Sequence, residues 1–581
     1  MPLNQSTKKG VYQWRFYSVA LLLSALVTAI LWRLVNIQIL PGEDQGFEFL
    51  QSQGLARTLR TEVIPAHRGI ITDRYGEPLA VSTPVISIWA DPDKLLSARQ
   101  QWPELLHAIA MSSDELNRKL MSYKNKKFVY LRRQLTPVEA EVILDLDING
   151  VYGQQEYQRF YPAGEVTAHL VGFTDIDDKG QEGIELSYDQ WLSGTRGSKQ
   201  VLKDLRGRII KDVGLLSAAS PGKDIVLSID LRLQYLAYKE LKAAVKAHNA
   251  KSGSLVVLDA YNGEVLAMVN QPSYNPNDRS NLSPDTLRNR AITDQFEPGS
   301  TMKPLTIMAA LESGRYSPTT TIDTRPGYMR VGNKTLLDPV NYGVIDVTKI
   351  ITKSSQVGLT KVSLDLEGGA IREMFYRLGI GQSTGTGFPG EAVGILPNYS
   401  HWQPIVQANF SFGYGITLTN LQLAQAYSVI ANQGIKRPVS ILKQHQPTAE
   451  QVIAKKTAKQ AIDMLKTVTQ PGGTAAIANL QGYQVAGKTG TIHKVGTSGY
   501  EDDRYLSLFV GFAPADNARI IAAVVINEPS NGKYFGGEVA APVFARVVDN
   551  ALRLLQIPPS NAEQHLSKLV VPATASEEPS T

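Results

Sequence analysis

Apolar positions along this chain change period several times, and each change marks an element. Phe16 to Trp32 carries no charge, and beyond Arg33 the apolar character continues to Leu40. That predicts one bilayer-spanning helix over residues 16–40. Lys8, Lys9 and Arg15 lie before it, so the positive-inside rule leaves 1–15 in the cytoplasm and carries the rest across. No Ala-x-Ala follows the run, which favours a retained anchor over a cleaved signal peptide. Residues 41–60 read as a polar juxtamembrane linker.

Residues 61–220 are mixed, with a strand at Val85 to Trp89, a helix at Thr136 to Leu146, and two amphipathic helices between Lys94 and Tyr123. Pro221-Gly222-Lys223 marks a boundary. A strand is predicted at Ile225 to Ile229, then a helix from Leu231 to His248 with Leu233, Leu236, Ala237, Leu241 and Val245 on one face. Ser254–Leu258 and Val265–Val269 flank Asn262-Gly263 and predict a hairpin. Met302 to Gln433 is mostly helical in pattern. Further strands are predicted at Tyr483–His493, Tyr505–Phe512 and Ile520–Ile526, and a helix at Ala541–Leu555. A sheet drawn from both ends of residues 221–557, with a long helical insert between, predicts an α+β architecture. Residues 558–581 are rich in Pro, Ser, Ala and Glu, a composition that predicts disorder.

Composition narrows the chemistry. At 581 residues there is room for two or three domains. A formal charge of +5 without a basic run gives no reason to expect nucleic acid as a partner. The chain has no cysteine, which excludes disulfides and thiolate catalysis. Its eight histidines are scattered and no His-Glu-x-x-His occurs, so neither a metal nor another cofactor is expected.

Candidate chemistry starts at Glu297-Pro298-Gly299-Ser300-Thr301-Met302-Lys303-Pro304. A helix beginning near Ser300 would bring Lys303 to its hydroxyl and leave free N–H groups there for developing negative charge. Such a serine is a nucleophile for acyl transfer. Ser-x-x-Lys also occurs at Ser6, Ser220, Ser440 and Ser530, so the pattern alone says little. Ala486-Gly487-Lys488-Thr489-Gly490-Thr491, on a predicted strand, supplies a cation and hydroxyls suited to a carboxylate. Gly490 would let substrate lie against the strand. Gly482 to Thr489 also fits the phosphate-binding Gly-x4-Gly-Lys-Thr loop, but the helix-like Ala475–Leu480 before it and Gly490-Thr491-Ile492-His493 after it are the wrong context.

Ser300-x-x-Lys303 followed by Lys488-Thr489-Gly490 resembles the serine penicillin-recognising enzymes. With the anchor and the long N-terminal module, the chain is similar to class B penicillin-binding proteins, and among them to the cell-division transpeptidases of the penicillin-binding protein 3 type. Arg68-Gly69-Ile70-Ile71-Thr72-Asp73-Arg74, Arg159-Phe160-Tyr161-Pro162, Glu182-Gly183-Ile184-Glu185, Phe388-Pro389-Gly390-Glu391 and Phe412-Gly413-Tyr414-Gly415 extend the likeness over nearly the whole chain. One motif departs. Where the family has Ser-x-Asn, this chain has Ser354-Ser355-Gln356; its one Ser-x-Asn, Ser273-Tyr274-Asn275, precedes the nucleophile.

The resemblance implies a membrane-anchored pedestal, a dimerisation-like module over 61–220, and a transpeptidase domain over 221–557. That domain would hold a five-stranded antiparallel sheet with helices on both faces and a helical subdomain. It implies a septal peptidoglycan D,D-transpeptidase, acylated by β-lactams, in the inner membrane with its bulk in the periplasm. Partners would be stem peptides of the glycan polymer built from lipid-linked precursors, and membrane-embedded division proteins including a glycosyltransferase. Ser300 would be the nucleophile, Lys303 the general base kept neutral by burial and by the Lys488 cation, and Ser354 a proton relay. Lys488, Thr489 and Thr491 would hold the substrate carboxylate, beside Gln356 and Gly490, and the N–H groups of Ser300 and Thr491 would form the oxyanion hole. Tyr505, Tyr534 and Phe535 resemble the family's aromatic wall, with plain packing as the other reading. Arg68, Asp73, Arg74, Arg159 and Glu185 would form an ion-pair network joining pedestal to catalytic domain. A D,D-carboxypeptidase, an elongation-type transpeptidase and a catalytically silent scaffold remain alternatives. A serine β-lactamase would need a deacylating Glu-x-x-Leu-Asn segment, which is missing between Ser354 and Lys488.

Overall fold

The computed structural model describes residues 13–39, 59–203, 209–280, 282–444, 448–496 and 499–560. It divides into two compact units. The smaller takes residues up to 67, 84–157 and 194–221; the larger takes 68–83, 158–193 and 222 onward. The predicted linker lies almost wholly outside the described residues, and so does the predicted tail beyond residue 560.

In the smaller unit Gln13–Gln38 forms a 26-residue helix with no buried residue. At about 1.5 Å per residue it exceeds the roughly 30 Å apolar thickness of a bilayer. Leu59–Ile64, Gly197–Lys203 and Ile209–Ser217 form an antiparallel three-stranded sheet. A separate core gathers Ile88, Leu95, Trp102, Leu105, Leu116, Leu131 and Ile143. The segment predicted as two helices holds three, Pro92–Ser97, Trp102–Ile109 and Ser113–Ser122. Pro103 opens the second, and Ala110 ends it in the left-handed region at φ 51°.

The larger unit is built on helix α1 (Leu231–Ala247), strands β1 (Ser252–Asp259) and β2 (Val265–Gln271), and helices α2 (Lys303–Glu312), α3 (Val347–Lys353), α4 (Gln356–Leu364) and α5 (Asn420–Ala431). Strands β3 (Ala486–Gly496), β4 (Gly499–Ala513) and β5 (Ile520–Asn527) and helix α6 (Ala541–Leu554) complete it. The five strands form one antiparallel sheet in the order β2-β1-β5-β4-β3. Side chains alternate along a strand, and β1 shows what each face meets. A Cβ on Gly253 would touch Leu241 and Val245 of α1, whereas Ser254 Oγ accepts from Asn420 Nδ2 of α5 at 3.1 Å. Both faces are covered, which is why β1, β2 and β5 read as unbroken apolar runs. Helix α5 is buried at every position. Its start is fixed by Thr419 and Gln422, which bond each other's backbone N–H.

Three predicted strands shift. Ile225–Val226 is all that remains of the first, because Leu227 bridges to Leu442 and the Ser228 N–H donates to the Ile441 carbonyl. Strand β3 starts at Ala486 rather than Tyr483, whose hydroxyl donates to the Ile557 carbonyl at 2.6 Å. Strand β4 starts six residues early, at Gly499, and pairs with β3 out to Gly496. The edge strand carrying Lys488 therefore extends into a long hairpin.

The ion-pair residues of the N-terminal motifs all fall inside the larger unit. Glu185 accepts from Arg68 Nε and from Arg159 Nε, each at 2.6 Å, and all three side chains are buried. Arg74 pairs with Glu264 at 3.1 Å, and Asp73 caps α1 by accepting from the Leu231 N–H. A buried carboxylate needs such partners, and this need draws 68–83 and 158–193 into the larger core. Within that unit Arg74–Glu264 and Asp73–Leu231 join residues of the expected pedestal, 61–220, to the expected transpeptidase domain, 221–557, while Arg68, Arg159 and Glu185 pair among the pedestal's own motifs.

Candidate active site

Ser300 sits in a 3-10 turn, Gly299–Met302, that runs directly into α2. The Lys303 N–H donates to the Ser300 carbonyl, so the two side chains lie one tight turn apart. Gly299 has φ 54°, and a Cβ there would lie 2.5 Å from Ile492 of β3. Gly413 is bound by the same approach, since its Cβ would lie 2.4 Å from the Gly299 carbonyl oxygen. Only glycine at both positions lets the turn press between β3 and the Phe412–Gly415 loop. Thr301 fixes the turn by donating to the Pro298 carbonyl at 2.7 Å, and Tyr427 donates to the Thr301 carbonyl at 2.7 Å.

Ser354 and Ser355 link α3 to α4, and Ser354 stands in the left-handed region at φ 57°, ψ 39°. Lys303 Nζ donates to its carbonyl at 2.6 Å and to its Oγ at 3.1 Å. Lys488 Nζ reaches the same Oγ at 3.1 Å. Two lysine side chains, one from the start of α2 and one from β3, thus converge on one hydroxyl. Among the described residues no hydrogen bond joins Lys303 to Ser300, so the amine expected on Ser300 rests on Ser354 instead.

Electrostatics follow from this burial. Both lysine side chains are almost wholly shielded from water, and burial disfavours the charged form. For Lys303 burial lowers the ammonium pKa to about 7, with the Asp338 carboxylate opposing it. For Lys488 burial and the Lys303 charge push it well below the usual lysine range. The like charges of Lys303 and Lys488 repel each other, which adds to burial in disfavouring two ammonium groups side by side.

Strand β3 is the free edge of the sheet, and its two faces do different work. Lys488, Gly490 and Ile492 share the face toward the Ser300 turn. A Cβ on Gly490 would lie 3.2 Å from Thr301 Cγ2 and 3.1 Å from Leu508. Glycine there makes room for the Ser300 turn. On the other face, Thr489 Oγ1 bonds Thr474 Oγ1 at 2.9 Å, and Thr491 Oγ1 accepts from the Gly536 N–H at 2.9 Å. Tyr505 and Tyr534 stack at 4.1 Å, and Tyr534 and Phe535 lie 4.5 Å apart. Ser507 holds the Tyr534 carbonyl beside β3, and Phe535 stays 53 % exposed.

Gln356 opens α4 with its amide half-buried, and its backbone N–H donates to Asp338 Oδ1 at 2.6 Å. Asp338, Thr474 and Glu297 are the residues sequence reasoning passed over. Glu297 accepts from the Gly415 N–H and from the Tyr500 hydroxyl. Nothing in the segment Leu337-Asp338-Pro339 signals a site residue. Glu297 stood inside the motif already singled out, but its partners are over a hundred residues away.

The comparisons agree with this geometry. Residues 253–549 match the family described as the penicillin binding protein transpeptidase domain, and 63–227 match the penicillin-binding protein dimerisation domain. The chain is 41 % identical over 551 residues to the probable peptidoglycan D,D-transpeptidase PbpC of Pseudomonas aeruginosa, covering 95 % of this chain and 97 % of that one. It is 40 % identical over 567 residues to the peptidoglycan D,D-transpeptidase FtsI of Escherichia coli K12, covering 96 % and 95 %. Among solved structures, penicillin binding protein 3 of Mycobacterium tuberculosis complexed with aztreonam aligns with a TM-score of 0.67 at 28 % identity, over 86 % of this chain and 98 % of that one. With Lys303 and Lys488 converging on Ser354 and likeness over almost its full length, this chain belongs to the penicillin-binding protein transpeptidases.

Proposed function

We propose that the chain is a peptidoglycan D,D-transpeptidase of the cell-division type, anchored by its N-terminal helix, with Ser300 as the acyl-carrying residue. The observation that carries this is the convergence of Lys303 and Lys488 on Ser354 beside the Ser300 turn. Ser300 Oγ attacks the carbonyl of the penultimate D-alanine of a stem peptide, and its proton passes to the neutral Lys303 amine. The oxyanion formed is stabilised by the Ser300 and Thr491 N–H groups, each donor contributing about 3–4 kcal/mol. The C–N bond then breaks. Ser354 hands a proton to the departing nitrogen and is reprotonated from the lysines, so D-alanine leaves as a neutral amine. An amine of a neighbouring stem attacks the ester, gives up its proton along the same relay, and releases Ser300 with a new peptide bond.

Lys488, Thr489 and Thr491 hold the terminal carboxylate. An incoming anion favours protonation of Lys488, whose charge burial otherwise suppresses. Gln356, at the α4 end of the cleft, has an amide that both donates and accepts, one methylene further out than the family's asparagine. Gly490 seats the nucleophile turn, and Tyr505, Tyr534 and Phe535 wall the ligand. A β-lactam enters by the same step, its strained amide opening onto Ser300. The orientation follows the positive residues before the helix, placing the bulk outside the cytoplasm. Division proteins in the membrane, a glycosyltransferase among them, are the proposed partners.

Labelling with a fluorescent penicillin tests the reading. Folded wild-type protein should label covalently and Ser300→Ala should not. Labelling that persists in Ser300→Ala overturns the choice of nucleophile. A tagged copy should gather at midcell, and sidewall distribution would favour the elongation type.

A further inference from the structure

Asp338 lies just after the short hairpin Tyr328–Leu337 and is tied back by its N–H to the Gly327 carbonyl at 2.9 Å. Its carboxylate takes three donors at the start of α4. Ser355 Oγ donates to Oδ2 at 2.6 Å, and the N–H groups of Gln356 and Val357 donate to Oδ1 at 2.6 and 3.2 Å. A carboxylate there satisfies free helix N–H groups and complements the positive end of the helix dipole. Ser355 Oγ meanwhile accepts from the Gly358 N–H at 2.9 Å. The residue immediately after Ser354 is therefore held on both sides. Ser354 itself stands in a backbone conformation that residues other than glycine adopt at a cost, and from it presents carbonyl and hydroxyl to Lys303.

We propose that Asp338 is a positioning residue for the reaction, clamping the α3–α4 junction so that Ser354 meets both lysines, and setting the charge balance of Lys303. The proposal rests on the reading of Ser300, Lys303 and Ser354 given above. Two ionisable groups act across this junction. Lys488, from β3, carries the same sign as Lys303, and Asp338 carries the opposite sign and favours the Lys303 ammonium. Asp338 therefore does two separable things. Its oxygens hold the helix start, and its charge works against the neutral amine that attack requires.

Asp338→Asn and Asp338→Ala separate them when penicillin acylation is followed from pH 5.5 to 9 on the full chain. Asparagine keeps one accepting oxygen and loses the charge, so its acid limb should move about half a unit or more toward lower pH. Alanine should show the same shift and a plateau about ten- to a hundredfold lower, because Ser354 is no longer held. Thermal melts identify an unfolded variant, for which Asn alone then carries the test. An acid limb at the wild-type position in a folded Asn variant overturns the proposal. So does an alanine plateau equal to wild type. Labelling of Ser300→Ala would instead overturn the underlying reading.

Discussion

A side chain at Gly490 would meet Thr301, whose Cγ2 lies 3.2 Å from where the Cβ would sit. The edge strand and the Ser300 turn are thus packed to a distance that a methyl group disturbs. Overfilling such a contact costs about 1–3 kcal/mol. Here part of it should appear as displacement of Ser300 rather than as unfolding, because the turn has fewer hydrogen bonds than the strand. Gly490→Ala is expected to slow penicillin acylation about tenfold while lowering the melting temperature by only a few degrees. Stopped-flow acylation beside a thermal melt checks both.

The acylation rate of the wild-type enzyme should rise with pH. In the proposed mechanism Lys303 must be neutral to accept the Ser300 proton, and burial brings its pKa to about 7. Below that value the neutral fraction falls tenfold per pH unit, and above it the rate levels. A free lysine side chain would put this limb near 10. Acylation constants measured between pH 5.5 and 9 should therefore plateau by about pH 8. A limb still rising at pH 9 would exclude a burial-tuned Lys303 as the base.

Thr474 and Thr489 share a hydroxyl–hydroxyl bond of 2.9 Å, which sets where the Thr489 hydroxyl points. A hydrogen bond of this kind contributes about 0.5–1.5 kcal/mol. Thr474→Val keeps the shape and removes the bond. It should weaken the second-order acylation constant about three- to tenfold for carboxylate-bearing β-lactams. Analogues with the carboxylate esterified should lose little, since the effect works through carboxylate recognition.

Local patterns were legible; long-range approach was not. The sheet strands could be read because β1, β2 and β5 are covered on both faces and so are apolar without interruption. Ser300, Lys303 and Lys488 stood out because each lies in a short motif. That Lys303 bonds Ser354 and not Ser300 depends on how α3 and α4 meet at one left-handed residue, a geometry no local pattern specifies. The approach of Gly490 to Thr301 was hidden for the same reason. A glycine announces close approach but does not say by what. Asp338 left no trace, since its donors come from residues 17 to 19 positions later. The hairpin of β3 and β4 was read short because its outer pairs, Val495 with Tyr500 and Gly496 with Gly499, lie outside the core and lack its apolar signal.

The ion-pair core of the N-terminal motifs contains a group that is ill at ease when charged. Asp178 lies near Arg68 and Glu185, with one carboxylate oxygen buried and without a hydrogen-bond partner among the described residues. Burial raises its pKa to about 6, against the opposing pull of Arg68 and Arg159. An acid held above its unfolded value binds the extra proton in the folded state. Stability conferred by this group is therefore present below about pH 4 and is lost as pH rises toward 6. Asp178 also has φ 65°, a conformation asparagine adopts readily. Asp178→Asn should consequently raise the melting temperature at pH 7.5, and the gain should shrink as pH falls through 6 and vanish near 4. Melts of both proteins across that range provide the check. An equal or larger gain at pH 4 would show that relief of a buried charge is not its cause.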